Sequence, residues 1–149
     1  MPGKITWSEQ ELELMSLFQR VSGATAKDCI VDQKMNRVIF LVSPNEIGLA
    51  IGRKGACVKT IENMIRRPVE IVVYSDDPVQ LIKNSLNRKY VNEVRLSERL
   101  DGSKIAVVVL RNPKFQGAVV GFGGKNAERA RLLIRRYFDI ADVRIVVQP

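Results

Sequence analysis

Two short stretches hold the residue types best suited to chemistry, Gly52-Arg53-Lys54-Gly55 and Gly121-Phe122-Gly123-Gly124 followed by Lys125. Each lies directly ahead of a run with the spacing of an amphipathic helix. A Gly-x-x-Gly turn between helices has two physical uses. In one, glycine dihedrals make a tight corner and nothing binds. In the other, the absent side chains let a sugar-phosphate backbone approach the main chain, while the next helix offers N–H groups and positive potential. Arg53 and Lys54 favour the second use, because a purely structural corner has little reason to display two adjacent cations. Capture of an anionic backbone is the expected chemistry.

Nucleotide hydrolysis is not. GFGGKN fails the Walker spacing, with Val119 where the first glycine belongs and Asn126 where a hydroxyl should ligate magnesium. It fails the dinucleotide pattern too, since Asn126 replaces the last glycine of Gly121-x-Gly123-x-x-Gly. The chain has no histidine, which removes the usual Cys/His zinc sites and any histidine base. Cys29 and Cys57 read as thiols. Asp76 and Asp77, ahead of Pro78, read as turn and cap residues. No catalysis, metal or cofactor is expected.

The elements that must position these turns occur twice. SPNEIGLAIGRKG (Ser43 to Gly55) aligns without a gap on NPKFQGAVVGFGG (Asn112 to Gly124) at an offset of 69 residues, matching Pro44, Gly48, Gly52 and Gly55 with Pro113, Gly117, Gly121 and Gly124. RVIFLV or KIAVVVL precedes each block as a strand, and VEIVVY or VRIVVQ ends it. Ser43 or Asn112 reads as an N-cap with proline at the first helical position, and Glu46 as the partner of Ser43 in a capping box. Gly52 or Gly121 should end that short helix in the left-handed conformation. Cys57, Ile61, Met64 and Ile65 form the apolar face of the next helix; Ala127, Ala130, Ile134, Tyr137 and Phe138 do so in the second copy.

Upstream of the first block, a Ser8–Glu11 capping box and a Leu14, Leu17, Phe18, Val21 stripe predict a helix ending near Gly23, then strands over 26–32 and 37–42 joined by a QKMN turn. Upstream of the second, a helix over 78–86 leads to a strand over 90–100 with Val91, Val94 and Leu96 inward, and Asp101-Gly102 signals a hairpin. The unit boundary falls at Ser75 to Pro78, giving expected domains at 1–75 and 76–149.

The chain of 149 residues carries a formal charge of +8, ten basic against eight acidic side chains up to Ser75 and fourteen against eight beyond it. The excess favours an anionic partner and sits mostly in the second half. No apolar run is long enough to span a bilayer. A soluble, cytoplasmic protein without a membrane partner is expected.

With GRKG and GFGG each between two helices, in two abutting units that fill the chain, the sequence resembles the archaeal NusA-like transcription termination and antitermination proteins. The resemblance implies an α/β (α+β) fold of two tandem type II KH domains, each a three-stranded mixed sheet faced by three helices, with the loops forming one extended basic surface. It implies single-stranded RNA as ligand, RNA polymerase or a transcription complex as a further partner, and a monomer that grips nascent transcript to modulate elongation, termination or antitermination. The bacterial relatives carry an added N-terminal domain and an S1 domain, for which no counterpart is expected here. A KH protein of ribosome assembly or translation, and a protein-interaction platform with one inactive unit, are the alternatives.

Carried over by residue, Gly52, Arg53, Lys54 and Gly55 would track the RNA backbone, with Lys59 at an adjacent phosphate and Ile47, Ile51 and Val58 as apolar floor or as ordinary core. Gly121, Phe122, Gly123 and Gly124 form the second loop, which departs from the first in having no charge. Lys125 and Arg129 are placed to restore it. Phe122 either stacks on a base or tucks against its own domain. Arg129, Arg131, Arg135 and Arg136 wrap around more than one helix face, and Arg66-Arg67 suits a helix C-terminus by dipole alone.

Overall fold

A computed structural model describes residues 5–147, so residues 1–4 and 148–149 of the expected domains, including Gln148 of the last strand, lie outside the described residues. The chain divides into two compact units, one running Thr6–Tyr74 and the other continuing from Ser75.

In the first unit, helix α1 (Glu9–Ser22) opens on a complete capping box: Ser8 Oγ accepts from the Glu11 N–H at 3.2 Å, and Glu11 Oε1 accepts from the Ser8 N–H at 2.9 Å. It stops at Gly23, left-handed at φ 79°. Strand β1 (Asp28–Asp32) turns through Asn36, also at positive φ, into β2 (Arg37–Val42). Short helix α2 (Ile47–Ile51), helix α3 (Ala56–Ile65) and strand β3 (Val69–Val73) follow. β2 is the central strand, antiparallel to β1 and parallel to β3. Its apolar run from Val38 to Val42 suits that place, and every one of its residues is buried. All three helices feed one core: Phe18 from α1, Ala50 from α2 and Ile61 from α3 pack with Val38, Phe40 and Val42. Phe18 stacks on Phe40 at 4.5 Å between centroids.

The second unit repeats the order with α4 (Pro78–Ser85), β4 (Val91–Glu98), β5 (Lys104–Leu110), α5 (Gln116–Val120), α6 (Lys125–Tyr137) and β6 (Asp142–Val147), β5 being central. Asp77 caps α4 by accepting from the Val79 N–H at 3.1 Å. Ile82, Val108, Val119, Ala130 and Ile134 form its core.

Several local expectations change. Ser43 makes no side-chain cap; the chain enters α2 through a single 3-10 turn at Pro44–Glu46 in which the Glu46 N–H donates to the Ser43 carbonyl. Glu46 instead accepts from the Thr25 N–H at 3.3 Å, tying that turn to the segment ahead of β1. Asn112 does cap, at 3.0 Å to the Lys114 N–H. Met64 and Leu96 are exposed rather than buried. A β-bulge between Val91 and Glu93 brings Val91, Val94 and Leu96 onto one face, opposite Leu110, Val108 and Ala106, but Leu96 lies toward the loop end of β4, where the strand is exposed. The hairpin signalled by Asp101-Gly102 does form: the two residues lie in the turn that joins antiparallel β4 and β5, where the Gly102 N–H donates to the Arg99 carbonyl at 2.9 Å and Asp101 Oδ1 accepts from Ser103.

Arg37 is sunk deep in the first unit, 2% exposed, with Nε at 2.8 Å from Asp32 Oδ2 and Nη1 at 3.1 Å from Glu70 Oε1. It fastens all three strands, since these carboxylates lie on β1 and β3. Truncation would take from both acids their buried cation, at about 3 kcal/mol. Arg37→Ala is expected to lower the urea midpoint accordingly, read from fluorescence of Trp7, whose indole N–H donates to Asp28 at 2.8 Å within the same unit.

Candidate nucleic-acid interface

The corner between α2 and α3 is set by one glycine. Gly52 lies at φ 77°, ψ 172°, outside the left-handed helical well that the sequence suggested, and its N–H donates to the Gly48 carbonyl at 3.0 Å. A Cβ there would stand 2.6 Å from Cys57 Sγ and 2.9 Å from the Cys57 nitrogen, so the end of α2 lies directly on the first turn of α3. Gly121 repeats this at φ 83°, with a Cβ 2.8 Å from Asn126 Cγ and 3.0 Å from its nitrogen. The left-handed residues are the next ones: Gly55 (φ 76°) and Gly124 (φ 79°), which start α3 and α6 without a side chain to cap them.

Between the glycines the two copies share a shape and differ in chemistry. Lys54 (φ 55°, ψ 30°) and Gly123 (φ 64°, ψ 16°) occupy the same backbone state. Glycine holds it freely, whereas a side chain there costs about 1 kcal/mol. Arg53 and Lys54 are exposed, as is Lys59 one turn along α3. Ile51 is 39% exposed beside the corner, while Ile47 and Val58 are half-buried against the core. Leu49, 56% exposed on α2, is an apolar surface residue that sequence reasoning passed over, since IGLAI is apolar throughout and gives no sign of which side chain points outward.

In the second copy Phe122 is 93% exposed and is not tucked against its own domain. Lys125 is exposed at the start of α6. Arg129 is turned away from solvent: its Nε and Nη2 donate to the Ser85 carbonyl at 3.0 and 2.8 Å, tying α6 to the end of α4. Arg131 and Arg135 are likewise engaged, with Arg131 Nε 3.0 Å from Asp142 Oδ1 and Arg135 Nε 2.8 Å from the Ala141 carbonyl. Much of the arginine run of α6 thus fastens β6 and α4 to that helix. Arg66, at φ 58°, forms the C-cap of α3 at the opposite end from the corner. A groove of about 420 Å³ at that end, lined by Leu14, Leu17, Met64 and Arg67 among others, holds none of the corner residues.

A helix, two strands, a short helix, a Gly-x-x-Gly turn, a helix and a final strand parallel to the middle one define a type II KH domain, and the chain contains this unit twice. The KH domain family model matches residues 14–95, from α1 into β4. The probable transcription termination protein NusA of Methanocaldococcus jannaschii is 30% identical, over 97% of this chain and 77% of its own. That of Halococcus morrhuae is 34% identical over 95% and 99%. The crystal structure of APE1850 superposes with a TM-score of 0.82 at 36% identity, covering 94% of this chain and all of that one. The chain belongs to the archaeal NusA-like family of tandem KH proteins.

Two outcomes follow from this geometry. Gly52→Ala should destabilise the first unit by more than about 2 kcal/mol, since it adds a steric clash to an unfavourable φ, whereas Gly48→Ala, with open space and helical φ, should be neutral or stabilising by up to about 1 kcal/mol; urea denaturation of both variants checks the contrast. Burial of the Asp142 carboxyl opposes its ionisation, but the Val143 N–H, the Arg131 hydrogen bond and the charges of Arg131 and Arg135 outweigh it and hold the group below the usual carboxylate range. A carboxyl held low in the folded state contributes stability at neutral pH that is lost as acid protonates it. Asp142→Asn should therefore cost about 1 kcal/mol at pH 7 and flatten the loss of stability below pH 4, measured by circular dichroism across an acid series.

Proposed function

We propose that the chain binds single-stranded RNA through its two glycine corners and, by gripping nascent transcript, modulates transcription elongation, termination or antitermination. The observation that carries this reading is Lys54. A cation held at a backbone state that glycine takes freely, and beside Arg53 on an open corner, costs stability and gives the fold nothing in return. Strain of that kind points to a ligand. The KH fold is one that clamps nucleotide backbone at a Gly-x-x-Gly loop, and the similar archaeal proteins are named for transcription termination.

In this reading phosphates lie over Gly52 to Gly55 and near Lys59, where the uncapped start of α3 adds positive potential. Ile51 and Leu49 offer apolar contact to bases, and Ile47 supports them from the core. At the second corner, Gly121, Gly123 and Gly124 admit the backbone and Phe122 stacks on a base, with Lys125 supplying charge. Arg129 is a positioning residue, holding α4 on the helix that starts at this corner. The role is binding, with no bond made or broken. RNA polymerase or a transcription complex is the further partner that such a role requires, the chain acting as a monomer in the cytoplasm.

Arg53→Asp/Lys54→Asp is expected to weaken single-stranded RNA binding at least tenfold and to reduce the salt slope by about 1.4, at roughly 0.7 for each phosphate no longer neutralised. Lys54→Gly should separate function from stability, binding more weakly while unfolding at higher urea. Phe122→Ala should cost about 1–3 kcal/mol of binding with little change in slope. Fluorescence anisotropy with a labelled RNA at two salt concentrations reads all three; unchanged affinity in the first variant would reject the reading.

A further inference from the structure

The second unit has the larger share of positive charge and an uncharged loop, so its cations must be displayed elsewhere. Arg129, Arg131 and Arg135 are turned onto Ser85, Asp142 and Ala141. A different group stands at the far end of α5, roughly 8 Å of helix rise from the corner. There Tyr90 and Phe115 stack at 4.2 Å between centroids and 19° between planes. Lys89 Nζ lies 5.5 Å from the Tyr90 centroid and Lys114 Nζ lies 5.1 Å from that of Phe115. Arg88 precedes Lys89, and the Arg111 N–H reaches the Tyr90 carbonyl at 3.4 Å. All four cations are exposed, and none is in an ion pair among the described residues.

We propose that Arg88, Lys89, Arg111 and Lys114, organised on the Tyr90–Phe115 stack, form a second phosphate-binding site that carries the RNA backbone past the uncharged corner of the second unit. Both lysines sit over rings, which restrains long side chains that otherwise lose rotamer freedom on binding. Four cations without a counter-acid offer several phosphates an unopposed field. The first unit lacks this arrangement. At the positions aligned with Lys114 and Phe115 it has Asn45 and Glu46, and Glu46 is bonded to Thr25. One copy carries its charge between the glycines, and the other carries it one short helix away. This inference rests on the RNA-binding reading above and extends the footprint beyond the glycine turns.

The test is RNA binding by Lys89→Gln/Lys114→Gln and by the charge-matched control Lys83→Gln/Lys104→Gln, each checked for folding by thermal melting. Labelled single-stranded RNA of mixed sequence is titrated at two salt concentrations. The expected result is a loss of at least fivefold and a salt slope shallower by about 1.4 for the first pair, with the control within twofold of the native chain. Phe115→Leu, which keeps every charge but removes a ring, should lose less than the double variant and more than the control. Equal binding by the two double variants would overturn the site even where Arg53→Asp/Lys54→Asp still weakens binding, and would leave the cations to an acidic protein segment. Absence of RNA affinity in the native chain would overturn both this site and the reading on which it rests.

Discussion

The missing Cβ at Gly52 and Gly121 is the constraint on which both units depend. With φ near 80° and the main chain of the next helix about 3 Å from where a side chain would begin, α2 can meet α3, and α5 can meet α6, only at glycine. That contact aims the start of the second helix at solvent beside an open loop. It also returns the chain to the sheet, where β3 and β6 run parallel to the central strand. A parallel pair needs a crossover, and here the two helices and their corner are that crossover. The element that closes the sheet is therefore the one that displays the candidate site.

Once the corner is fixed, the residues between the glycines are released from structural duty, and the two copies use that freedom differently. The first places Arg53 and Lys54 there, accepting strain at Lys54. The second places Phe122 and Gly123, avoids the strain, and offers a ring in place of charge. Three arginines of its α6, Arg129, Arg131 and Arg135, are drawn into the fold, where the carbonyl of Ser85, Asp142 and the carbonyl of Ala141 hold that helix in place. Net charge alone would have assigned the more basic half the stronger electrostatic role at its loop. The side-chain partners show that most of that helix's charge is internal to the unit.

Much of this was legible in the sequence because the repeat constrains itself: two glycine patterns 69 residues apart, each preceded by an apolar strand and followed by a helical stripe, specify the order of elements and place both corners. Less legible was whatever depends on tertiary partners. Glu46 has the spacing of a capping box, but Thr25, 21 residues away, takes its carboxylate. Arg129 has the spacing of a helix-face cation near the loop, yet the end of α4 lies within its reach. Met64 and Leu96 fit apolar periodicity and are exposed, the second because it lies toward the loop end of its strand. The Tyr90–Phe115 stack joins residues far apart in the chain and leaves no local signal at all.

The most direct measurement is a two-dimensional amide NMR titration of the labelled chain with a short single-stranded RNA. If the corners are the binding elements, the largest shifts fall on Gly52 to Lys59 and on Gly121 to Lys125, while amides of the central strands stay still. Shifts confined to other surfaces, or none at saturating RNA, would contradict the account and leave the paired glycines as corners of the fold alone.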